Sequence, residues 1–252
     1  MTVQVAPQVA PAAGAVEAFP LEGGWLGLAF CNTVGWHSGA YRRAELYGEG
    51  HDWELSAEAP GSHERFSEYR ALVGWFFRKR QIGIGEAKRL LRAARRRPEE
   101  AEAVRRRAIS LRETLYHVFS ALADGGDPDP RDVAALNGWL PQAMARRRLV
   151  YVGTEGDGYS DGRGEIEPRF AWESAAAPDE LGRVLWPVVW SAVELLTGGP
   201  LERVRECDND PCGWLFVDMS RNRSRRWCDM RDCGNRVKAR RHYARTKHAT
   251  QA

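Results

Sequence analysis

The chain has 252 residues, with 43% hydrophobic residues, 28% charged residues and 10 Trp. This is a globular composition with enough large apolar surface for a sizeable core, which excludes a wholly disordered chain. The net charge of +3 hides an asymmetry: residues 201–252 carry 13 Lys/Arg against 7 Asp/Glu, and residues 1–200 carry 24 against 27, so a partner selected by positive charge meets the last fifth of the chain.

Residues 1–18 are rich in Ala, Pro and Val. They lack the positive start and continuous apolar run of a signal peptide, so a disordered tail is expected. Leu21–Trp36 opens the folded part as a buried strand or a short helix. Residues 37–63 read only as loop. Phe66–Arg80 places Phe66, Tyr69, Val73 and Phe76/Phe77 on one helical face, and Gly83 and Gly85 end it. Ile84–Arg97 repeats the pattern with Ala87, Leu90, Leu91 and Ala94 inward. Pro98 suits the first turn of a further helix, with Glu99 and Glu100 at its positive dipole end. That helix steps through Val104, Ala108, Leu111, Leu115, Val118 and Leu122, the clearest amphipathic stretch of the chain.

Asp124–Pro130 is turn-forming sequence. A helix is expected over Asp132–Leu140, ending near Pro141. Leu149–Val152 and Arg169–Trp172 read as a hairpin around the Gly-rich stretch Gly153–Gly164. Pro178–Leu196 is a last helix, stopped by Gly198, Gly199 and Pro200. Its apolar part is interrupted and shorter than the roughly 20 residues a membrane span needs. A cytoplasmic protein is therefore expected, in which thiols stay reduced.

Four of the five cysteines lie after residue 200, as Cys207-x4-Cys212 and Cys228-x4-Cys233. Two short-spaced pairs can converge on one tetrahedral zinc, and Asp208–Pro211 is turn sequence able to aim the first pair. Disulfides do not suit a reduced compartment, and a redox switch on the same thiols and an iron–sulfur site are the lesser alternatives to zinc. Four thiolates close the coordination sphere, so a single structural Zn2+ is expected, and the few apolar residues of 201–252 make it necessary for folding. Trp214–Val217 reads as a strand with Arg225–Trp227 as its partner. A helix is expected from Cys233 onward, which gives a treble-clef-like order.

Eleven Lys/Arg fall between Met219 and Lys247, against only Asp229 and Asp232. A solvated face mixes signs, and this one barely does. Arg221, Arg223, Arg225, Arg226, Arg236, Lys238, Arg240, Arg241 and Arg245 are therefore the candidate nucleic-acid contacts. His37, His51 and His63 are not at metal spacing, and His242 is not needed beside four cysteines. Cys31 lies in an apolar run and reads as a buried thiol. Asn32, Thr33 and Trp36 are candidate lining residues of a ligand pocket, with Trp25 or Trp53 as walls. Ordinary turn capping by Asn and Thr is the alternative. The chain has no P-loop, GxGxxG, GxSxG or HExxH string, so no enzyme is expected.

Cys233-Gly234-Asn235-Arg236, preceded by Arg225-Arg226-Trp227-Cys228 and Trp214-Leu215-Phe216-Val217-Asp218, resembles the CGNR zinc finger family. Leu26–Val34 (LGLAFCNTV) resembles the start of the ABATE domain, which commonly precedes this finger in stress-induced transcription regulators, and Trp190–Leu196 also fits. Residues 37–180 match only in general helical layout. The resemblance implies zinc at the four cysteines, DNA contact by the finger and a regulatory upstream domain. The expected architecture is α+β: a tail (1–18), a mostly helical regulatory domain with a small sheet (19–200), a four-cysteine zinc finger (201–248) and a short tail (249–252). The expected function is a zinc-dependent DNA-binding regulator whose first domain senses a small-molecule effector or binds a partner. Three other readings stay open: an RNA-binding or ribosome-associated module, an enzyme with a pocket in the first domain, and a protein-interaction adaptor that binds no nucleic acid.

Overall fold

The computed structural model describes residues 24–34, 64–151, 170–209 and 212–250, with side chains described as far as Tyr243. The expected pocket residue Trp36, the loop histidines His37, His51 and His63, and the stretch Gly153–Gly164 lie outside the described residues.

The apolar opening segment forms a short helix, α1 (Leu26–Cys31), whose six residues are all buried. A helix apolar on every side has to lie inside the protein. Gly27 lets it do so: a Cβ there would come within 3.3 Å of the Ala192 backbone on a later helix. The next helix, α2 (Tyr69–Arg78), starts later than Phe66 because Glu68 is still extended. Then come α3 (Ile84–Arg96) and α4 (Pro98–Ala123), with Pro98 in the first turn of α4. The inward stripe of α4 is the one read from its periodicity: Val104, Ala108, Leu111, Leu115 and Val118 are all buried. This helix is the axis of the molecule and packs against α1, α2, α3 and the later elements.

Helix α5 (Pro130–Met144) is capped by the Asp129 carboxylate, which accepts from Arg131 N–H at 2.7 Å. It does not end at Pro141 but runs through it. A proline this close to a helix end removes one backbone hydrogen bond. The turn beyond it is pinned by buried Ala143, whose carbonyl accepts from Trp190 Nε1 at 2.9 Å.

Strands β1 (Arg147–Tyr151) and β2 (Phe170–Ser174) form the expected antiparallel hairpin, with Leu149 opposite Trp172. The Arg147 guanidinium lies over the Trp172 ring at 4.2 Å and pairs with Glu194 at 2.6 Å, which fixes the hairpin to the helical body. The expected single helix over 178–196 divides in two. Leu181–Leu185 is a 3-10 turn, and α6 (Trp186–Gly198) begins with Pro187 in its first turn. Proline has no N–H to continue the preceding turn, and its φ suits a helix start.

After a 3-10 turn at Leu201–Arg203, β3 (Val204–Glu206) pairs antiparallel with β4 (Leu215–Val217). The partner of β4 is thus β3, not Arg225–Trp227 as the sequence suggests. Val204 lies opposite Val217, and this pair presents one apolar face to α4 and α1. The 225–227 segment instead meets the first cysteine loop, where Arg226 O accepts from Asp208 N–H at 2.9 Å. A π-helical turn at Met230–Gly234 leads into α7 (Asn235–Thr250).

Alternation along β4 divides the core. Leu215 and Val217 join the large helical core, together with Val204. Phe216 points the other way and packs with Cys207, Cys212 and Cys233. The chain is therefore a mostly helical body with one small sheet, followed by a four-cysteine unit whose ribbon is built into that body. No helix among the described residues is long and apolar enough to cross a membrane.

Candidate metal centre and basic surface

Each cysteine reaches the centre from a different local structure. Cys207 follows β3, and its N–H donates to Trp214 O at 2.9 Å, extending the ribbon by one bond. Cys212 precedes Gly213, whose φ of 64° lies in the left-handed region that favours glycine. Cys228 follows the arginine-rich loop. Cys233 sits in the π-helical turn, which is capped by Asp229 accepting from the N–H groups of Arg231 and Asp232.

The four sulfurs lie within 4.8 Å of one another, with Cys212 to Cys228 at 3.7 Å and Cys228 to Cys233 at 3.6 Å. A tetrahedron with metal–sulfur bonds of about 2.3 Å has edges of about 3.8 Å, so the quartet fits zinc. Three of the four residues are buried and Cys228 is half-buried. Their crowding splits their acidity. Cys207 is pushed far down by hydrogen bonds from the Cys212 and Cys228 thiols, then by the N–H groups of Cys228 and Asn209. Cys212 and Cys228 are pushed up, because each donates to Cys207 and would ionise beside it. A divalent cation at the centre would take up this crowded thiol charge, since metal binding displaces the protons of its ligands. His242 is exposed on α7 against Tyr243 and is no part of the cluster.

The structure sorts the nine basic candidates. Arg225 lies over the Phe216 ring at 4.4 Å and donates to the carbonyls of Trp227 and Cys228. Arg226 pairs with Asp208 at 2.6 Å, and Arg236 with Asp232 at 2.7 Å. Arg240 donates to Asn209 Oδ1. Arg221, Lys238 and Arg241 are exposed, and Arg223 lies 3.9 Å from Glu202. The Arg245 side chain is outside the described residues.

The loop carrying Arg221 and Arg223 has a buried scaffold that sequence reasoning missed. Asp218 is fully buried, and its carboxylate accepts from Ser220 N–H at 2.8 Å and Arg225 N–H at 2.9 Å. Burial alone would raise its pKa, but the Ser220 and Arg225 donors hold it below the usual carboxylate range. Its place one residue after an apolar strand and two before Ser220 is the signature of an Asx turn, a signal the sequence did contain.

The Asn32 amide is buried and pairs with both backbone groups of Leu215 on β4, at 2.8 and 2.9 Å. Thr33 is buried and donates to Phe30 O at 2.7 Å. Both side chains thus spend their hydrogen bonds inside the protein. Around them Trp214 Nε1 donates to Val34 O at 3.1 Å, Arg65 lies over the Trp214 ring at 5.5 Å, and Ser120 donates to Glu206 at 2.8 Å. Cys31 is fully buried beside Arg112, and burial pushes its thiol well up.

A family model described as "CGNR zinc finger" matches residues 203–246. The ABATE family model, described as "Putative stress-induced transcription regulator", matches residues 24–199. None of the curated proteins matches the chain. The two models abut near residue 200, where the structure instead carries the β3–β4 ribbon into the helical core.

Proposed function

The chain belongs to the ABATE family and carries a CGNR zinc finger, and from that premise we propose that it is a DNA-binding transcriptional regulator whose finger is held by one structural Zn2+. The observation that carries this reading is the division of labour among the basic residues around the four cysteines. Arg225, Arg226, Arg236 and Arg240 brace the finger. Arg221, Arg223 and Lys238, exposed like the bracing four, with Arg223 3.9 Å from Glu202, make up the phosphate-contacting set, which Arg241 and Arg245 join on the same helix as Lys238.

Zinc at Cys207, Cys212, Cys228 and Cys233 is fully coordinated by protein and holds no activated water. Four thiolates and one Zn2+ leave a formal charge of −2. That internal anion sits at the start of α7 and offsets the like-charge repulsion among its basic residues. The helical body is the regulatory half. Asn32 touches β4 directly, so an effector or partner acting on the body reaches the finger without a flexible linker. The thiols call for a reducing compartment, so the reading places the protein in the cytoplasm. No catalytic activity is part of it.

A shift assay with the full chain and mixed-sequence duplex DNA across a salt series tests the proposal. If about five phosphates are neutralised, log K falls against log salt with a slope of about −4 to −5. A chelator abolishes the shift. Binding insensitive to salt or to chelator overturns the proposal, and preferential displacement by structured RNA transfers the activity to RNA.

A further inference from the structure

Asn209 lies in the loop between the first two ligands and is only 1% exposed. Three hydrogen bonds converge on it. Its carbonyl accepts from Cys212 N–H. Its side-chain Nδ2 donates to Cys233 Sγ at 3.2 Å, and its Oδ1 accepts from Arg240 Nη2. Two of these partners are metal-ligand residues, and the third is on the basic helix.

The chemistry of the partners fixes the orientation of this amide. A guanidinium can only donate, so it must face Oδ1. A metal-bound thiolate can only accept, so it must face Nδ2. Aspartate would lack the donor and set a third negative charge against the sulfurs. Alanine would leave Cys233 and Arg240 without the group that joins them.

We propose that Asn209 is a positioning residue that couples the metal centre to the basic helix, holding the Cys233 thiolate on one side and turning Arg240 inward on the other. Arg240 is then a bracing residue, not a phosphate ligand. Outer-shell donors of this kind orient metal ligands and relieve the charge on them. The inference rests on a metal at the four cysteines and is independent of DNA binding.

The test uses the full chain loaded with Co2+, whose visible spectrum reports four-thiolate tetrahedral coordination, followed by Zn2+ competition against a chromophoric chelator. Absence of the thiolate bands in the unmodified protein removes the metal reading itself and the inference with it. With the bands present, Asn209→Ala keeps them and loses about 10- to 100-fold in Zn2+ affinity. Asn209→Asp loses more, although it still offers oxygen to Arg240. Arg240→Ala loses less, on the order of threefold, and adds nothing when combined with Asn209→Ala. Affinity of Asn209→Ala within about twofold of the unmodified protein, or losses that simply add in the double variant, overturns the proposal. Should Asn209→Ala fail to fold, Arg240→Ala on the exposed helix decides alone, and an unchanged affinity overturns it.

Discussion

The side-chain amide of Asn32 completes the edge of a strand. It donates to Leu215 O at 2.8 Å and accepts from Leu215 N–H at 2.9 Å, which is the pairing a neighbouring strand would supply. Asn32 follows α1 in the helical body, and Leu215 opens β4 of the finger. The next residue, Phe216, packs against three of the four cysteines. One side chain of the body is therefore a single residue removed from the metal cluster.

Asn32→Ala leaves two buried backbone groups of Leu215 unsatisfied. Each such group costs about 1–3 kcal/mol, so the expected destabilisation is about 2–6 kcal/mol in urea unfolding. Asn32→Asp keeps the acceptor but turns a carboxylate oxygen toward Leu215 O, and is expected to be at least as damaging. In both variants body and finger should still unfold in one transition, because Val204, Leu215 and Val217 belong to the shared core. A loss below about 0.5 kcal/mol, or a separate early transition of the finger, contradicts this account.

Acid stability should depend on a buried ion pair in the body. Arg112 is 2% exposed and donates to both oxygens of Glu64, at 2.9 and 2.6 Å, with Glu113 at 2.8 Å. Burial would raise the Glu64 pKa, but the Arg112 hydrogen bonds and charge outweigh it and hold the carboxyl below its ordinary range. A carboxyl depressed in the folded state stabilises in full above its unfolded pKa of about 4.3, and that contribution is lost as pH falls through the lower folded value. Glu64→Gln should thus flatten the stability curve below about pH 4.5. At neutral pH it should cost about 3–5 kcal/mol, because Arg112 keeps only Glu113. Unfolding midpoints measured from neutral to acid pH check both parts. An acid limb as steep as that of the unmodified protein sinks the assignment.

Much of this is legible in the sequence. The inward positions of α4 follow from steps of three and four residues, and the zinc quartet from two equal cysteine spacings. The Pro98 start is also readable, because proline at a first turn acts locally. Sequence reading fails where a distant partner decides the outcome. Pro141 reads as a stop, but its turn is held by Trp190 Nε1 bonding Ala143 O. Arg225–Trp227 reads as the partner of β4, whereas the apolar alternation of Val204 satisfies the core better. Asn32 reads as a pocket residue or a cap, and it does cap the end of α1, but its bond to Leu215 spans 183 positions and lies beyond sequence reading. The jobs of Asn209 and Asp218 depend on sulfurs and amides brought together only by folding.

Asp218 should control nucleic-acid binding without touching the ligand. Its two bonds fix the start and end of the loop that presents Arg221 and Arg223. Asp218→Ala removes both acceptors and buries unsatisfied N–H groups, at a cost of about 2–4 kcal/mol. Asp218→Asn keeps one acceptor and should be milder. DNA affinity of Asp218→Asn, measured by shift assay at fixed salt, should fall while Co2+ thiolate absorbance stays intact. Equal loss of both signals would place Asp218 in the metal scaffold and not in the loop.

The exposed and bracing arginines should separate in a salt titration. Arg221 and Lys238 are exposed, so Arg221→Ala and Lys238→Ala each remove one released counterion and lower the slope by about 1. Their thermal stability should stay within about 0.5 kcal/mol of the unmodified protein, as for other surface changes. Arg225→Ala should do the opposite. Its guanidinium stacks on Phe216 and holds two carbonyls beside Cys228, so its loss loosens the metal site. Zinc affinity and melting temperature fall together, while the slope changes little for the protein that remains folded. If Arg225→Ala lowers the slope by about 1 with stability unchanged, its stacking on Phe216 is incidental and Arg225 belongs with the phosphate contacts.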